Sequence, residues 1–295
     1  MNGVINICKN TGQTSFDVVA RVRKIAKIKK VGHTGTLDPE ASGVLPICIG
    51  RATKIIDYIM ENKKVYRVTM KLGVVTDTYD LEGKVIREAD ASNISEEEAL
   101  TVVNTFKGDI MQIPPMFSAL KKNGVRLYEL ARKGIEIERE ARPITIHSLE
   151  NIKIELPNIT MDVCCSKGTY IRSLCYDIGE KLSVGAVMTS LVRIQNGPFT
   201  IDEAVNIEDL TEELLNEHII SIDEALESFE GFVIKNEKFS KLLANGVSVM
   251  DNKLYNGIVL KDNKLYRVYD YKGILIGLGK KGSKGFKIEK LLLEE

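Results

Sequence analysis

The stretch over residues 32–43 constrains this chain more than any other, because it places three glycines, one proline, one histidine and two acids within twelve positions. It reads Gly-His-Thr-Gly-Thr-Leu-Asp-Pro-Glu-Ala-Ser-Gly. Glycine permits backbone angles that other residues avoid, and Pro39 restricts Asp38 to an extended or turn conformation. The apolar run over residues 44–49 follows at once and predicts a buried strand. Asp38 is therefore expected on a tight loop against a rigid strand, either as a surface turn or as part of a site.

Length and composition are those of an ordinary globular protein. A chain of 295 residues predicts about two domains. It contains neither an apolar run long enough to cross a membrane nor the layout of a signal peptide. The five cysteines include no C-x-x-C pair and the three histidines are scattered, so no zinc pattern can be assembled. We therefore expect a cytoplasmic protein with no bound metal and no membrane segment.

Charge is distributed unevenly along the chain, although the formal net charge is zero. Residues 1–74 carry 13 Lys or Arg against 5 Asp or Glu, and residues 261–290 carry 9 basic against 3 acidic side chains. Between them, residues 201–230 carry 11 acids and no Lys or Arg. This pattern suits a polyanion held by two basic regions, with the acidic segment facing elsewhere. Solvated charged surfaces would give a similar pattern.

Two helices are indicated by their capping residues and their periodicity. Apolar residues recur at helical spacing over residues 16–26, and Ser15 is expected to cap this helix. Its opposite face is basic, which either keeps the surface soluble or binds phosphate. Ser95 and Glu98 form a capping signature for a second helix.

Tyr66 and Arg172 are candidate site residues outside the loop. Tyr66 lies in a stretch that alternates polar and apolar residues, typical of a strand with one wet face, where tyrosine is common as filler. Arg172 opens the helix predicted after Gly168, and a positive charge at a helix N-terminus opposes the helix dipole. Arg172 is therefore either an exposed arginine or the partner of an acid.

Four of these stretches resemble motifs of the bacterial tRNA pseudouridine synthase B (TruB) family. The loop matches every fixed position of the pattern GHTGxLDPxAxG, and residues 165–172 read CSKGTYIR. Residues 76–83 resemble a TDTxDxxG loop, and residues 114–132 resemble PPxxSAxKxxGxxxYxxAR. A further motif, DKPxGxTS, is kept only in part, because Cys8 and Asn10 replace its acid and its proline.

The resemblance implies a role for several side chains. Asp38 would be the catalytic aspartate, and Arg172 would pair with it. Tyr66 would stack on a flipped-out uracil and would also be a catalytic residue. The other residues that it implies around the substrate are His33, Tyr170, Leu191, Lys9 and Asp80. The reaction is an isomerisation of uridine in the T arm of tRNA, at position 55, so it implies no cofactor and no metal.

The resemblance also implies a fold and a domain division. The fold would be the α+β pseudouridine synthase fold, with a central mixed β-sheet flanked by helices over residues 1–230. A basic insertion over residues 121–142 would grip the RNA. Residues 231–295 would form a small PUA-like β-barrel that binds RNA, and the protein would act as a monomer.

Two other classes of function stay open from the residues alone. A retaining glycosidase or nucleosidase also uses an aspartate near a sugar carbon, but it needs a second carboxyl group as acid, for which Glu40 is the near candidate. A non-catalytic RNA chaperone would use the basic surfaces alone. Within the pseudouridine synthase reading, Asp38 acts either as a nucleophile or as a base.

Overall fold

A computed structural model of the chain describes residues 1–122, 124–255 and 257–293. Asn123 of the predicted insertion, and Asn256, Glu294 and Glu295 of the predicted C-terminal domain, lie outside the described residues. In chain order the strands are β1 (Gly3–Lys9), β2 (Val31–His33), β3 (Ser42–Ile49), β4 (Lys64–Leu72), β5 (Val74–Thr76), β6 (Val85–Glu88), β7 (Gly108–Gln112), β8 (Lys121–Lys122), β9 (Val125–Arg126), β10 (Arg142–Glu155), β11 (Asn158–Cys165), β12 (Ala186–Asn196), β13 (Phe199–Thr200), β14 (Val205–Asn206), β15 (Gly231–Val233), β16 (Leu265–Tyr269), β17 (Leu275–Gly282) and β18 (Gly285–Leu291). The helices are α1 (Ser15–Ala26), α2 (Ile56–Met60), α3 (Glu96–Asn104), α4 (Leu127–Ala131), α5 (Ile171–Lys181), α6 (Glu212–Glu217) and α7 (Glu237–Ala244).

A mixed sheet organises the first part of the chain, in the strand order β14-β1-β3-β12-β4-β11-β10-β7. The β1–β14 and β3–β12 pairs are parallel, and the other neighbours in this order are antiparallel. In addition, β2 pairs with β3 and β13 pairs with β12. This order places β3, which follows the Asp38 loop, next to β12. On the other side of β12 lies β4, which carries Tyr66. The predicted mixed sheet flanked by helices is confirmed.

Alternation along the strands divides the core between the two faces of the sheet. On β3, Leu45 and Ile47 contribute to the core that α1, α3 and α5 cover, whereas Val44 and Cys48 point to the opposite face. The second face is covered by α2 and by Leu278 of β17. Both faces of β3 are therefore buried, which holds rigid the strand that anchors the loop.

The start of α1 differs from the prediction in a way that matters for the site. Thr14 is the N-cap: its hydroxyl accepts from the Asp17 N–H, and the Asp17 carboxylate accepts from the Thr14 N–H at 2.8 Å, a complete capping box. Ser15 lies inside the helix and is buried. Its Oγ donates to the Leu37 carbonyl at 3.1 Å and accepts from the Leu37 N–H at 2.9 Å. The serine is free for this contact because the neighbouring threonine caps the helix. For α3, the predicted cap is confirmed, since Ser95 accepts from the Glu98 N–H.

The C-terminal strands form an open sheet rather than the predicted barrel. Their order is β15-β16-β17-β18, and no pairing closes β15 onto β18 within the described ranges. One face of this sheet packs on a core of its own, which includes Phe232, Val268 and Phe286. Leu278 of β17 and Leu292 instead join the core cluster that lies against β3, so the other face is covered by the first part of the chain. Arg267 adds an ion pair to Asp223 at 2.8 Å. None of the helices in the described part of the chain is long and apolar enough to span a membrane.

Candidate active site

The loop that carries Asp38 is anchored on both sides of that residue. Before it, Leu37 is buried and exchanges two hydrogen bonds with Ser15 of α1. After it, the Pro39 carbonyl accepts from the Gly12 N–H at 3.0 Å and from Lys9 Nζ at 3.0 Å. The loop is therefore held by its backbone, and its geometry does not depend on the Asp38 carboxylate.

Gly43 shows why the end of the loop needs a glycine. Its φ is +101°, in the region that favours glycine, and a Cβ there would lie 2.2 Å from the carbonyl oxygen of Arg193 on β12. The strand that follows Asp38 can approach β12 this closely only without a side chain. This contact aligns the loop with the strand that carries Leu191.

Arg172 brings the catalytic candidates together, as predicted. Its Nε lies 3.0 Å from Asp38 Oδ2, and its Nη1 lies 3.2 Å from Asp80 Oδ2. The same guanidinium donates to the carbonyls of Thr78 at 3.1 Å and Phe117 at 2.9 Å. The side chain of Arg172 is 6% exposed and that of Asp80 is 15% exposed, whereas Asp38 keeps 43% of its surface. Asp38 is thus the member of this group that a ligand can reach.

Asp80 has its carboxylate occupied by neighbouring donors. Its Oδ1 accepts from Thr78 Oγ1 at 2.6 Å and from the Glu82 N–H at 3.1 Å, while Arg172 takes Oδ2. With partners on both oxygens, this carboxylate is held in one position. It therefore serves as the second anion for Arg172, and it is poorly placed to act as a general acid.

The start of α5, which carries Arg172, is fixed by a residue that the sequence did not single out. Gln112 at the end of β7 accepts from the Tyr170 N–H at 2.8 Å and donates to the Tyr170 carbonyl at 3.0 Å. Tyr170 is the N-cap residue and makes no side-chain cap of its own. A glutamine closing an amphipathic strand carries no distinctive signal, so its role was not predictable.

Tyr66 and Leu191 lie on the same face of neighbouring strands. Tyr66 is opposite Arg193 and Val68 is opposite Leu191 in the antiparallel β4–β12 register, and directly opposed residues share a face. Leu191 is 8% exposed and belongs to the core. Burial raises the pKa of the Tyr66 phenol, and the nearby Arg193 guanidinium partly opposes this rise. The phenol is therefore neutral near pH 7, as a proton donor has to be.

His33 and Tyr170 are two further side chains close to the Asp38 loop. The His33 imidazole accepts from the Gly35 N–H at 3.2 Å and packs edge-on against Phe16, with ring centroids 5.9 Å apart. Burial lowers its pKa, and Arg193 lowers it further. Burial raises the pKa of Tyr170, whose hydroxyl also feels the charges of Asp38 and Arg172. Both side chains are thus uncharged neighbours of the Asp38 loop.

Lys9 lies beneath the loop, with its donors occupied. It is completely buried, and its Nζ donates to the carbonyls of Asn10 at 2.9 Å, Gln13 at 2.7 Å and Pro39 at 3.0 Å. An ammonium group has three donors, so none remains for a substrate. Burial lowers the pKa of Lys9 to about 8, an effect that the charges of Glu40 and Asp38 oppose. The lysine therefore links the loop between β1 and α1 to the backbone of Pro39, next to Asp38.

Arg193 is the main side chain that the sequence reading missed. It is 1% exposed, and its Nε donates to the Val44 carbonyl at 2.6 Å and its Nη2 to the Gly35 carbonyl at 3.1 Å. Within the described ranges no carboxylate forms an ion pair with it. The available signal was a charged residue two positions after Leu191, which places both side chains on the same face of a strand.

The acidic segment packs beside α1, contrary to the expectation that it faces elsewhere. Arg21 forms an ion pair with Glu208 at 2.7 Å, and Lys27 with Glu212 of α6 at 2.7 Å. Part of the basic face of α1 is therefore neutralised within the molecule. Arg23 and Lys24 of the same helix are exposed and form no ion pair with any described residue.

The C-terminal basic segment is also partly neutralised. Lys280 and Lys287 both lie within 4 Å of the Glu289 carboxylate, at 3.5 Å and 3.0 Å, and Lys281 lies 3.1 Å from Asp262. Both acids are already part of the count over residues 261–290, so these pairs leave the positive balance of the segment unchanged.

Family models and solved structures agree on the class of this fold. The model for the TruB family pseudouridylate synthase (N terminal domain) matches residues 23–171, and that for the tRNA pseudouridylate synthase B C-terminal domain matches residues 172–233. A chain in the crystal structure of a Cbf5-Nop10-Gar1 complex has a TM-score of 0.76 and 28% identity, over 99% of this chain and 85% of that one. A chain of an H/ACA RNP bound to a substrate RNA containing 2'-deoxyuridine has a TM-score of 0.74 and 26% identity, with the same coverage. The fold is that of a pseudouridine synthase.

Curated relatives narrow this class to one family. The chain is 73% identical to tRNA pseudouridine synthase B of Clostridium perfringens over the full length of both chains. It is 56% identical to tRNA pseudouridine synthase B of Clostridium tetani, over 99% of this chain and all of that one. The chain belongs to the TruB family of pseudouridylate synthases.

Proposed function

We propose that this enzyme converts uridine 55 in the T loop of tRNA into pseudouridine, with Asp38 as its catalytic carboxylate. The observation that carries the proposal is the partly exposed Asp38 carboxylate, 3.0 Å from the buried Arg172 guanidinium on an anchored loop. The names of the relatives at 73% and 56% identity support tRNA as the substrate. Asp38, Arg172 and Tyr66 are the proposed catalytic residues, and His33, Tyr170 and Leu191 the proposed walls of the uracil site.

The reaction balances without any other reactant. The bond between ribose C1′ and uracil N1 breaks, the base turns, and C1′ joins C5 instead; the proton lost from C5 is matched by one gained at N1. Asp38 supplies the carboxylate that starts this sequence, as a nucleophile or as a base. Arg172 holds that carboxylate in place through a fixed fork, and Asp80 and two backbone carbonyls hold Arg172.

The base has to leave the RNA stack before it reaches Asp38. Extrusion costs a few kcal/mol, which an aromatic surface and a shaped pocket offset. Tyr66 offers the aromatic ring, and Leu191 on the same face closes the apolar side. We assign Lys9 to positioning, because its three donors are taken by backbone carbonyls around the Asp38 loop. We assign Arg193 to positioning as well, because it is buried and binds the Val44 and Gly35 carbonyls on either side of that loop.

The test is incubation of the enzyme with an unmodified tRNA transcript, followed by mapping of pseudouridine. A transcript with cytidine at position 55 is the matched control and is expected to give no product. Measurement of free uracil in the same reaction separates this proposal from a nucleosidase, which would release the base. Pseudouridine at other positions, with none at 55, would refute the proposed specificity while leaving the enzyme class intact.

Tyr66→Phe is expected to keep tRNA affinity within about tenfold and to lose most of the turnover. The ring that supports the base remains, whereas the hydroxyl that takes part in proton transfer is removed. Single-turnover rates at saturating tRNA, measured beside a binding titration, separate the two effects. A phenylalanine variant as fast as the parent would show that the hydroxyl has no chemical role.

Arg23→Gln is expected to make the salt dependence of tRNA binding shallower, by about one unit in the slope of log K against log salt. Arg23 is exposed on α1 and has no acidic partner among the described residues, so it is available to a phosphate. Arg21→Gln is the matched control on the same helix, because Arg21 is already paired with Glu208 at 2.7 Å. Equal slopes for the two variants would exclude this part of α1 from the RNA interface.

We also propose the division into a catalytic part over residues 1–230 and an accessory RNA-binding part over residues 231–295. The first part contains every residue assigned to the reaction. The second shares a core cluster with it, through Leu278 and Leu292, so its removal would expose apolar surface as well as remove charge. The contribution of the second part is therefore better measured by substituting Lys284 and other exposed lysines than by truncation.

A further inference from the structure

Two tyrosines, one next to Asp80 in the chain and one on the helix of Arg172, stack on each other. The rings of Tyr79 and Tyr176 are nearly parallel, with centroids 4.1 Å apart and an angle of 20° between their planes. Tyr79 occupies the variable position of the TDTxDxxG loop, and Tyr176 lies on α5. Neither side chain belongs to the residues assigned to the reaction above. The pair is therefore an additional feature of this chain that calls for a function.

The stack joins the Asp80 loop to the helix that carries Arg172. Tyr79 immediately precedes Asp80, and Tyr176 follows Arg172 by four residues, which places the two on the same side of α5. Tyr79 has a φ of +64°, a conformation that is costly for a residue with a large side chain and persists only where its surroundings enforce it. The Met188 N–H, which donates to the Tyr79 carbonyl at 3.0 Å, and the stack on Tyr176 are two contacts that hold it.

A third contact comes from the basic insertion. Arg139, near the end of the insertion, has a side chain that is only 16% exposed. Its guanidinium interacts with the Tyr79 hydroxyl and opposes the rise in the pKa of that group caused by burial. Its Nη1 also donates to the Pro114 carbonyl at 3.3 Å, at the entrance to the insertion.

The entrance to the insertion is tied to the active site as well. Arg172 Nη2 donates to the Phe117 carbonyl at 2.9 Å, and Ser173 Oγ, next to it on α5, donates to the Ile113 carbonyl at 3.1 Å. Arg139 near the end of the insertion, and residues 113–117 just before the insertion, therefore contact the elements that hold Arg172 and Asp80. A movement of the insertion away from the molecule would have to break the contacts of Arg139 with Tyr79 and with the Pro114 carbonyl.

We propose that Tyr79, Tyr176 and Arg139 form a latch through which docking of the insertion sets the position of the Asp80–Arg172 pair, and so of Asp38. The three are positioning residues, since none touches the reacting atoms. RNA that binds the docked insertion would favour the docked state, and through the latch it would favour the arrangement in which Asp38 is held by Arg172. This inference rests on the proposed function, and it adds to it a link between substrate binding and the readiness of the site.

The experiment measures docking and chemistry separately in the full-length enzyme. Docking is measured as the rate at which trypsin cleaves within residues 121–133, with and without tRNA, by mass spectrometry. Chemistry is measured as the single-turnover rate of pseudouridine formation at saturating tRNA. We expect Tyr176→Ala to accelerate cleavage and to lower the saturated rate, each by roughly 5- to 150-fold, the usual range of coupling between two sites. Tyr176→Phe keeps the stacked ring and is expected to restore both values.

Two further variants make the test specific. Arg139→Ala is expected to reproduce both effects, and the double variant with Tyr176→Ala to be no worse than either single one, because all three residues act as one unit. Tyr58→Ala is the control: it removes a ring that packs edge-on against Phe229, with centroids 6.3 Å apart, in the other core cluster. It is expected to lower thermal stability without changing cleavage in the insertion or the saturated rate.

Each remaining outcome overturns the latch. A slower reaction with unchanged cleavage would mean that the stack positions Asp80 locally, with no link to the insertion. Faster cleavage with an unchanged rate would mean that docking does not affect the site. If the parent enzyme forms no pseudouridine, the proposed function fails, and unchanged cleavage in Tyr176→Ala would still refute the latch on its own.

Discussion

Asp38→Asn is expected to lower the rate of pseudouridine formation by at least about 10⁴-fold, the range seen when enzymes lose a central catalytic group. An amide nitrogen is neither a nucleophile nor a base at neutral pH. The fold and the affinity for tRNA should change little, because the loop is anchored through Leu37 and Pro39, and not through the carboxylate. Single-turnover assays on a tRNA transcript, with binding measured in parallel, check both statements.

Glu40→Gln is the matched control for this prediction. It removes an exposed carboxylate two residues further along the same loop, which forms no ion pair with any described residue. Its rate should equal that of the parent. If the asparagine variant at position 38 turned over within tenfold of the parent enzyme, Asp38 would be removed from the mechanism. If Glu40→Gln were inactive instead, the glycosidase reading with two carboxyl groups would regain support.

Arg172→Lys is expected to lower the saturated rate by about 10²- to 10⁴-fold with little change in tRNA affinity. Lysine keeps the charge but cannot reach Asp38, Asp80 and the two carbonyls at once, as the planar fork does. Two hydrogen bonds between charged groups contribute roughly 3–6 kcal/mol to holding the site. Because about 1.4 kcal/mol corresponds to a factor of ten in rate, their loss gives the expected range. The melting temperature should also fall, because buried acceptors lose their donor.

Arg67→Lys provides the comparison for that variant. Arg67 makes a two-bond fork to Asp162, with both distances at 2.8 Å, and its side chain is 54% exposed on the strand that carries Tyr66. The same chemical change there should cost little stability and leave the saturated rate unaltered. An Arg172→Lys enzyme with the parent's rate would show that the 3.0 Å pair with Asp38 has no part in catalysis. A slow Arg67→Lys enzyme would show that the assay responds to the strand and not to the site.

Much of the local structure follows from short stretches of sequence. Pro39 and the glycines around Asp38 are enough to predict a tight loop before a buried strand, because they act on the backbone of their immediate neighbours. The cap at Ser95 follows from a pattern only four residues long. The motif around Arg172 places a positive charge at a helix N-terminus, where it opposes the helix dipole, and its resemblance to the family implied an acidic partner. In the structure, the carboxylates of Asp38 and Asp80 both lie next to the guanidinium.

Contacts between distant segments were decided by the tertiary structure alone. The side-chain pattern does not distinguish Thr14 from Ser15 as the cap of α1, and the choice depends on Leu37, which takes the serine. Nothing local shows that Lys9 is buried under Pro39, or that the acidic segment lies against Arg21. The same holds for the open C-terminal sheet, whose β17 is covered by another part of the chain.

The physical reason is the difference in range between the two kinds of information. Backbone preference, capping and alternation act over a few residues, so the local sequence determines the Asp38 loop and the strands beside it. A buried guanidinium such as Arg193 can be placed only when the strand order β3-β12-β4 is known, because this order supplies the carbonyls of Val44 and Gly35 that it binds. Asp38, the proposed reactive residue, could thus be predicted from one stretch of the chain, whereas its surroundings depend on the packing of the sheet.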